Sequence, residues 1–326
     1  MKNYGLLLGM VGGLGLSGCS QLQKIPVIYD TDIGADIDDT WALALILASP
    51  ELDLKLVVTD SHNTEGKTRI VAKFLERVGR TDVPVGTGIK FDDRVDAQAP
   101  WVEDYDLSKY AGTIHADGVQ AMIDTIMDYP RPPITLLAVG PVPNLAEALR
   151  REPRITQRAR LVVMGGTIQK DYHGDPEPAG RGDYNVAEYP QAAQVAYTAD
   201  WDLTMAPMNT AATVYLSGEP YARVRDADNP MAQALMENYR IWAVTAAAVG
   251  DPYDTNLRSS TLFDTVAVYL TWDNAFCKME DVRFRVTNNG YTLPDPQGKL
   301  AHAALEWADR EAFYELLADR IANYRR

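Results

Sequence analysis

Basic residues are scarce in this sequence. Only 31 Lys and Arg stand against 45 Asp and Glu in 326 residues, a formal net charge of −14. Without a basic surplus to neutralise phosphates, the balance argues against nucleic acid as a partner. Cysteine is nearly absent as well, with only Cys19 and Cys277. Two cysteines make no disulfide framework. Cys277, in "NAFCKME", is expected to be a buried structural thiol, since no obvious base stands beside it. The chain lacks internal repeats and a linker that would divide it. After the first twenty residues it also lacks any segment long and charge-free enough to read as a transmembrane helix.

Those first residues differ in kind. "MKNYGLLLGMVGGLGLSGC" carries a lysine, an apolar stretch rich in Gly and Leu, then small residues before Cys19. It is too short and glycine-rich for a membrane span and reads as a processing signal. Leu16-Ser17-Gly18-Cys19 resembles the bacterial lipobox. The resemblance implies a lipoprotein signal peptide over 1–18, lipid on the Cys19 sulfur, a tether over 19–24 and one domain over 25–326. The expected location is exported and lipid-anchored to a bacterial membrane, the outer one where the host has two, with no other membrane contact. An ordinary signal peptide with a chance cysteine is the alternative.

Within the domain, short continuous apolar runs alternate with helical patterns. "KIPVIYD" (24–30), "LDLKLVV" (52–58), "VPVGTG" (83–88), "PITLLAVGP" (133–141), "ARLVVMGG" (159–166) and "WDLTMAP" (201–207) read as buried strands. "DDTWALALILASP", "TRIVAKFLERVGR" (68–80), "VPNLAEALRREP" (142–153) and "PQAAQVAYTA" (190–199) read as helices between them. The second of these gathers Ile70, Phe74, Leu75 and Val78 on one face. This alternation indicates a single α/β domain with a mostly parallel sheet flanked by helices. Residues 301–324 are expected to form one amphipathic helix, packing through Leu305, Phe313, Leu316, Leu317 and Ile321. Polar loops at about 90–117 and 167–184 are long enough to be functional. Ligands of open parallel sheets bind outside the carboxyl ends of the strands.

At the first such end, "VIYDTDIGADIDDTWALAL" sets Asp30, Asp32, Asp36, Asp38 and Asp39 within ten positions. Carboxylates at that density repel unless a cation joins them. An oxygen-rich, carboxylate-heavy site suits calcium or magnesium, whereas zinc recruits His or Cys. Three chemistries fit: a calcium-assisted hydrolase, a phosphatase with a nucleophilic aspartate, and a structural calcium loop. The phosphatase leaves Asp38 and Asp39, at the helix start, unexplained.

The same stretch, a strand followed by DxDxG and a DD pair opening a helix, resembles the signature of the inosine–uridine-preferring nucleoside hydrolase family. Further segments match in family order: "VVTDSHNTEGKTR", "GTIHADG", "ITLLAVGPVPNLAEALRREPRI", "LVVMGG", "GDYNVAEYPQAA" and "STLFDTVAVYL". The resemblance implies a Rossmann-like core and a Ca2+-dependent hydrolase that cleaves the N-glycosidic bond of ribonucleosides, giving ribose and free base. It implies Asp32 as general base and metal ligand, with Asp39, the Val139 carbonyl and Asp264 as further ligands. It also implies Asn63, Asp183 and Asn185 on the ribose, joined by Asp38 or Asp36, and His115 near the base. The family runs from Gly directly to xDD, and this chain inserts two residues. Asp38 is preferred over Asp36 because it keeps the adjacent pair. A homo-oligomer is expected.

Each residue also has a plainer reading. Asn63 can be a turn residue and His115 a helix cap, Asp117 is expected to be an N-cap, and His173 to face solvent. One departure bears on mechanism. Phe263 stands where the family has a His before the late metal Asp, thought to serve the leaving base. A phenyl ring can stack on a base but cannot protonate it, so a cationic riboside, whose base departs neutral, should suffer least. A lipid-anchored riboside-binding protein with little or no turnover is the alternative function. Hydrolysis of another N- or O-riboside through the same metal site is a third.

Overall fold

The computed structural model describes residues 24–248 and 252–325. The signal segment and Cys19 lie outside the described residues. The strands are β1 (Ile25–Thr31), β2 (Leu52–Thr59), β3 (Val85–Thr87), β4 (Ile114–His115), β5 (Ile134–Ala138), β6 (Ala159–Met164), β7 (Leu203–Ala206), β8 (Cys277–Val286), β9 (Thr292–Pro294) and β10 (Lys299–Trp307). The helices are α1 (Asp38–Ala48), α2 (Thr64–Arg77), α3 (Gly118–Asp128), α4 (Pro143–Arg151), α5 (Tyr184–Ala187), α6 (Pro190–Thr198), α7 (Met208–Ala211), α8 (Gly218–Arg225), α9 (Pro230–Ala248), α10 (Asp264–Leu270) and α11 (Arg310–Ala322). No described helix is long and apolar enough to cross a membrane.

One ten-stranded sheet runs β4-β3-β2-β1-β5-β6-β7-β10-β8-β9. Pairing is parallel from β4 through β7 to β10, while β8 pairs antiparallel with β10 and β9. Apolar residues on alternate sides of each strand feed two cores. Val27, Tyr29 and Val57 pack with α1, α2, α9, α10 and α11, and Ile28, Leu56, Val58 and Leu136 pack with α3, α4 and α6. Cover on both faces explains why the parallel strands are continuous apolar runs. Helix α1 is buried along Asp38–Leu47, so a helix hydrophobic on every side fits its place. Strand order reverses between β1 and β5, which opens a crevice at their carboxyl ends.

The carboxyl-terminal region corrects the expectation of one helix over 301–324. Residues 299–307 form β10, with Leu305 buried in the sheet, and α11 starts only at Arg310. The break falls at Asp309, whose carboxylate accepts the Ala312 N–H at 3.0 Å and so caps the helix. Phe313, Leu317 and Ile321 pack as expected, and Leu316 is half-buried. Cys277 is buried, and burial pushes its thiol up to about 12, consistent with an inert structural role.

Candidate active site

Strand β1 delivers the chain to the crevice and the next turn folds it into α1. Gly34 makes this turn at φ +120, where a side chain would also meet Asp96 and Ile70 at 3.1–3.2 Å. Residues 35–37 complete the turn before the helix. Asp36 Oδ1 accepts the Ile37 N–H at 2.6 Å, and Gln98 donates its amide to the Asp36 carbonyl. Helix α1 therefore starts at Asp38, placing Asp38 and Asp39 in its first turn. Asp264 opens α10 in the same way. Helix amino termini favour carboxylates.

Asp38, Asp39 and Asp264 converge so that one oxygen of each lies within 4.8 Å of the others, and all three are buried. Burial raises each of them well above the usual carboxylate range, and repulsion among the neighbouring aspartates, Asp32 and Asp36 included, adds to it. The nearest buried cation serves other groups. Lys67 donates to the Asp32 backbone carbonyl and lies 3.9 Å from Asp96 Oδ2. Asp32 adjoins the trio; burial raises its carboxyl too, while Lys67 partly offsets the effect. Buried, oxygen-only, like-charged donors fit a hard divalent cation such as calcium or magnesium. Among the described residues no nitrogen or sulfur donor joins the cluster, a donor set unlike that of zinc.

The carboxylates form the polar floor of a cavity of about 620 Å³. One wall comes from the ends of β5 and β6 and the start of α5: Val139, Met164, Asp183, Tyr184 and Asn185. Gly140 allows this wall to approach, since a Cβ there would meet Asp32 Oδ1 at 2.7 Å. Asn185 donates its amide to the carbonyls of Val139 at 2.5 Å and Met164 at 3.1 Å. Asp183 accepts the Gly166 N–H at 2.8 Å, and burial raises its carboxyl to about 6 despite several backbone donors. The opposite wall is apolar, with Trp242, Ala246, Phe263 and Met208. A second cavity, of about 580 Å³ and lined by Lys24, Leu52, Arg320 and Tyr324, lies at the amino-terminal end of β1. The carboxylate trio decides between them.

Asp32, Asp38, Asp39, Val139, Asp183, Asn185, Phe263 and Asp264 thus meet in one cavity. Asp36 lines it too, but Asp38 is the residue that joins Asp39 and Asp264. Asp32, expected as a ligand with Asp39, Val139 and Asp264, lines the same cavity. Asn63 stays outside the lining and caps α2, accepting the Gly66 N–H at 3.2 Å, with its amide donating to the Arg94 carbonyl at 3.3 Å. His115 also lies outside it, on β4, because pairing with Gly86 fixes it three strands from β1. Asp117 caps α3 and His173 is exposed, as expected. The sequence reading missed Tyr184, Trp242 and the buried His62 behind Tyr184. The positive-φ turn at Ser61 and His62 leaves no compositional signal, because neither residue is glycine.

An acidic, cation-fitting floor below apolar side chains lies at the switch point of a parallel sheet, where open α/β sheets bind their ligands. The sequence pattern of the family described as inosine-uridine preferring nucleoside hydrolase matches residues 27–315, and the chain belongs to that family. It is an N-glycosidase-family enzyme. A pyrimidine-specific ribonucleoside hydrolase, RihA, of Citrobacter koseri is 28% identical over 331 residues, covering 93% of this chain and 99% of the relative. One from Photobacterium profundum is 28% identical over 324 residues, with 92% and 99% covered. Among solved structures, a plant nucleoside hydrolase superposes with TM-score 0.77 at 22% identity, covering 93% of this chain and all of that one (100%). A purine-preferring ribonucleoside hydrolase from Gardnerella vaginalis gives 0.73 at 21%, with 91% and 98% covered.

Proposed function

We propose that the protein is a calcium-dependent ribonucleoside hydrolase that splits the N-glycosidic bond into ribose and free base. The carrying observation is the buried Asp38, Asp39 and Asp264 trio, with Asp32 beside it, under a cavity whose other wall is apolar. Calcium held by Asp39, Asp264, the Val139 carbonyl and Asp32 or Asp38 would lower the pKa of the attacking water and grip the sugar diol. Asp32, at the cavity floor beside the trio, takes the proton from that water as general base. Asp183 offers the ribose hydroxyls an acceptor, and Asn185 fixes the neighbouring carbonyls, so binding becomes orientation. Trp242 and Phe263 take the ring and exclude water. Bond cleavage leaves an oxocarbenium-like sugar flanked by carboxylates.

The names of the relatives cover both pyrimidine and purine ribosides, so the substrate class proposed is ribonucleosides at large. The test is chromatography of free base after incubating the calcium-loaded protein with uridine, cytidine, inosine and adenosine. Release from at least one supports the reading, and release from none overturns it. Phe263 sustains a second reading, a riboside-binding protein with little turnover. Saturable uridine binding without base release would select it. The Leu-Ser-Gly-Cys segment supports export, with a lipid anchor at Cys19.

A further inference from the structure

A base that would otherwise depart as an anion needs a proton as its bond breaks, and Phe263 has none to give. Three other polar groups of the cavity already have partners. Asp183 accepts Gly166 N–H, Asp39 accepts the Thr31 hydroxyl at 2.5 Å, and the Trp242 indole N–H donates to the Ala35 carbonyl at 3.0 Å. Tyr184 differs, because it lines the cavity and its hydroxyl is backed by an ionisable group. The Tyr184 oxygen lies 3.1 Å from His62 Nε2. His62 is buried, its Nδ1 lies 3.0 Å from Asp92 Oδ2, and its Nε2 lies 3.3 Å from Glu188 Oε1. Ser61 and His62 hold φ of 61 and 53, a conformation that non-glycine residues keep only where the surroundings impose it. That turn, directly after β2, carries the imidazole in behind the phenol.

The geometry points to Tyr184 as the acid that protonates the departing base, with His62, oriented by Asp92 and Glu188, as the positioning residue that resupplies its proton. The inference rests on the hydrolase reading and deepens it. As the C1′–N bond breaks, its electron pair stays on the base, which takes the phenol proton. The phenolate recovers its proton through Nε2 of His62, whose Nδ1 faces Asp92. Water supplies hydroxide to C1′ and its proton to Asp32. Asp32 releases that proton to solvent, and solvent restores His62, so one water is consumed for each bond cut. Burial, with the charges of Asp32 and Glu188, raises the Tyr184 phenol above its ordinary range, so it is protonated before reaction. Arg94 and Arg181 are the neighbouring cations: Arg94 lies 3.7 Å from Asp92, and Arg181 pairs with Glu188 over the Tyr184 ring.

The test compares uridine with 4-nitrophenyl β-ribofuranoside, whose leaving group departs as a stable anion and needs no acid. Tyr184→Phe, isosteric at a partly exposed position, should lower kcat on uridine by about 10²–10⁴-fold with KM little changed, and spare the nitrophenyl riboside. His62→Gln keeps a donor to the phenol but no exchangeable acid, and should show the same selectivity in weaker form. An equal fall on both substrates would mean a structural role and overturn the inference, as would undiminished uridine turnover by Tyr184→Phe. Wild-type release of uracil from uridine upholds the hydrolase reading whatever the variants do, whereas cleavage of the nitrophenyl riboside alone would mark an O-riboside hydrolase and overturn both. Wild-type inactivity on both substrates overturns that reading and this inference with it.

Discussion

Thr31 donates its hydroxyl to one carboxylate oxygen of Asp39 at 2.5 Å, and Tyr29 donates its own to the Asp39 backbone carbonyl at 3.0 Å. The last turn of β1 therefore aims a carboxylate that belongs to α1. Thr31→Val keeps the shape and removes that donor. Lost outer hydrogen bonds of this kind weaken metal binding by about 10–100-fold. Calcium titration of the variant by calorimetry should show that loss with the fold retained. Unchanged affinity would remove Thr31 from the account.

Asp183 gives opposite pH trends for stability and activity. Its carboxyl titrates near 6 in the fold against 3.8 unfolded. Between those values the folded state holds the extra proton, so this group's stabilising contribution is complete below about pH 4. It is lost as pH rises through 6, on the order of 3 kcal/mol at most. Activity should run the other way, since the ribose needs an ionised acceptor. Denaturant melts at pH 4–8 should show the group's downward slope in wild type and its absence in Asp183→Asn.

The aspartate floor was legible because Asp32, Asp38 and Asp39 are neighbours in sequence and the turn between them is local. The parallel strands were legible because double cover makes them uniformly apolar. What sequence could not reveal depends on distant partners. His62 meets Tyr184 across 122 positions. In β8 and β10, antiparallel pairing rather than local pattern sets the strand, as Ala303 opposite Glu280 shows. Asn63 and His115 carried motif resemblance, but a helix cap and an edge-strand register fix where they stand.

Asp32→Asn keeps the volume at the centre of the site and removes the proton acceptor. Riboside turnover should fall by about 10²–10⁴-fold, the usual range for a lost general base. Uridine binding should persist in part, measured by calorimetry on the folded variant. Near-native turnover would take Asp32 out of the mechanism.

Cys19→Ala should block lipid attachment and shift the protein from the membrane fraction to the soluble one when expressed in a bacterial host. Mass spectrometry of the wild-type amino terminus should find a lipidated Cys19. Unaltered processing and fractionation of the variant would contradict the anchor.

The most direct measurement is free ribose released from uridine and inosine by the purified protein in calcium, after chelation and after calcium is restored, with Asp39→Ala alongside. The account predicts ribose in equal amount to free base, its loss on chelation, its recovery on adding calcium back, and none from Asp39→Ala. Ribose release indifferent to chelation and to Asp39, or no ribose under any condition, would contradict it.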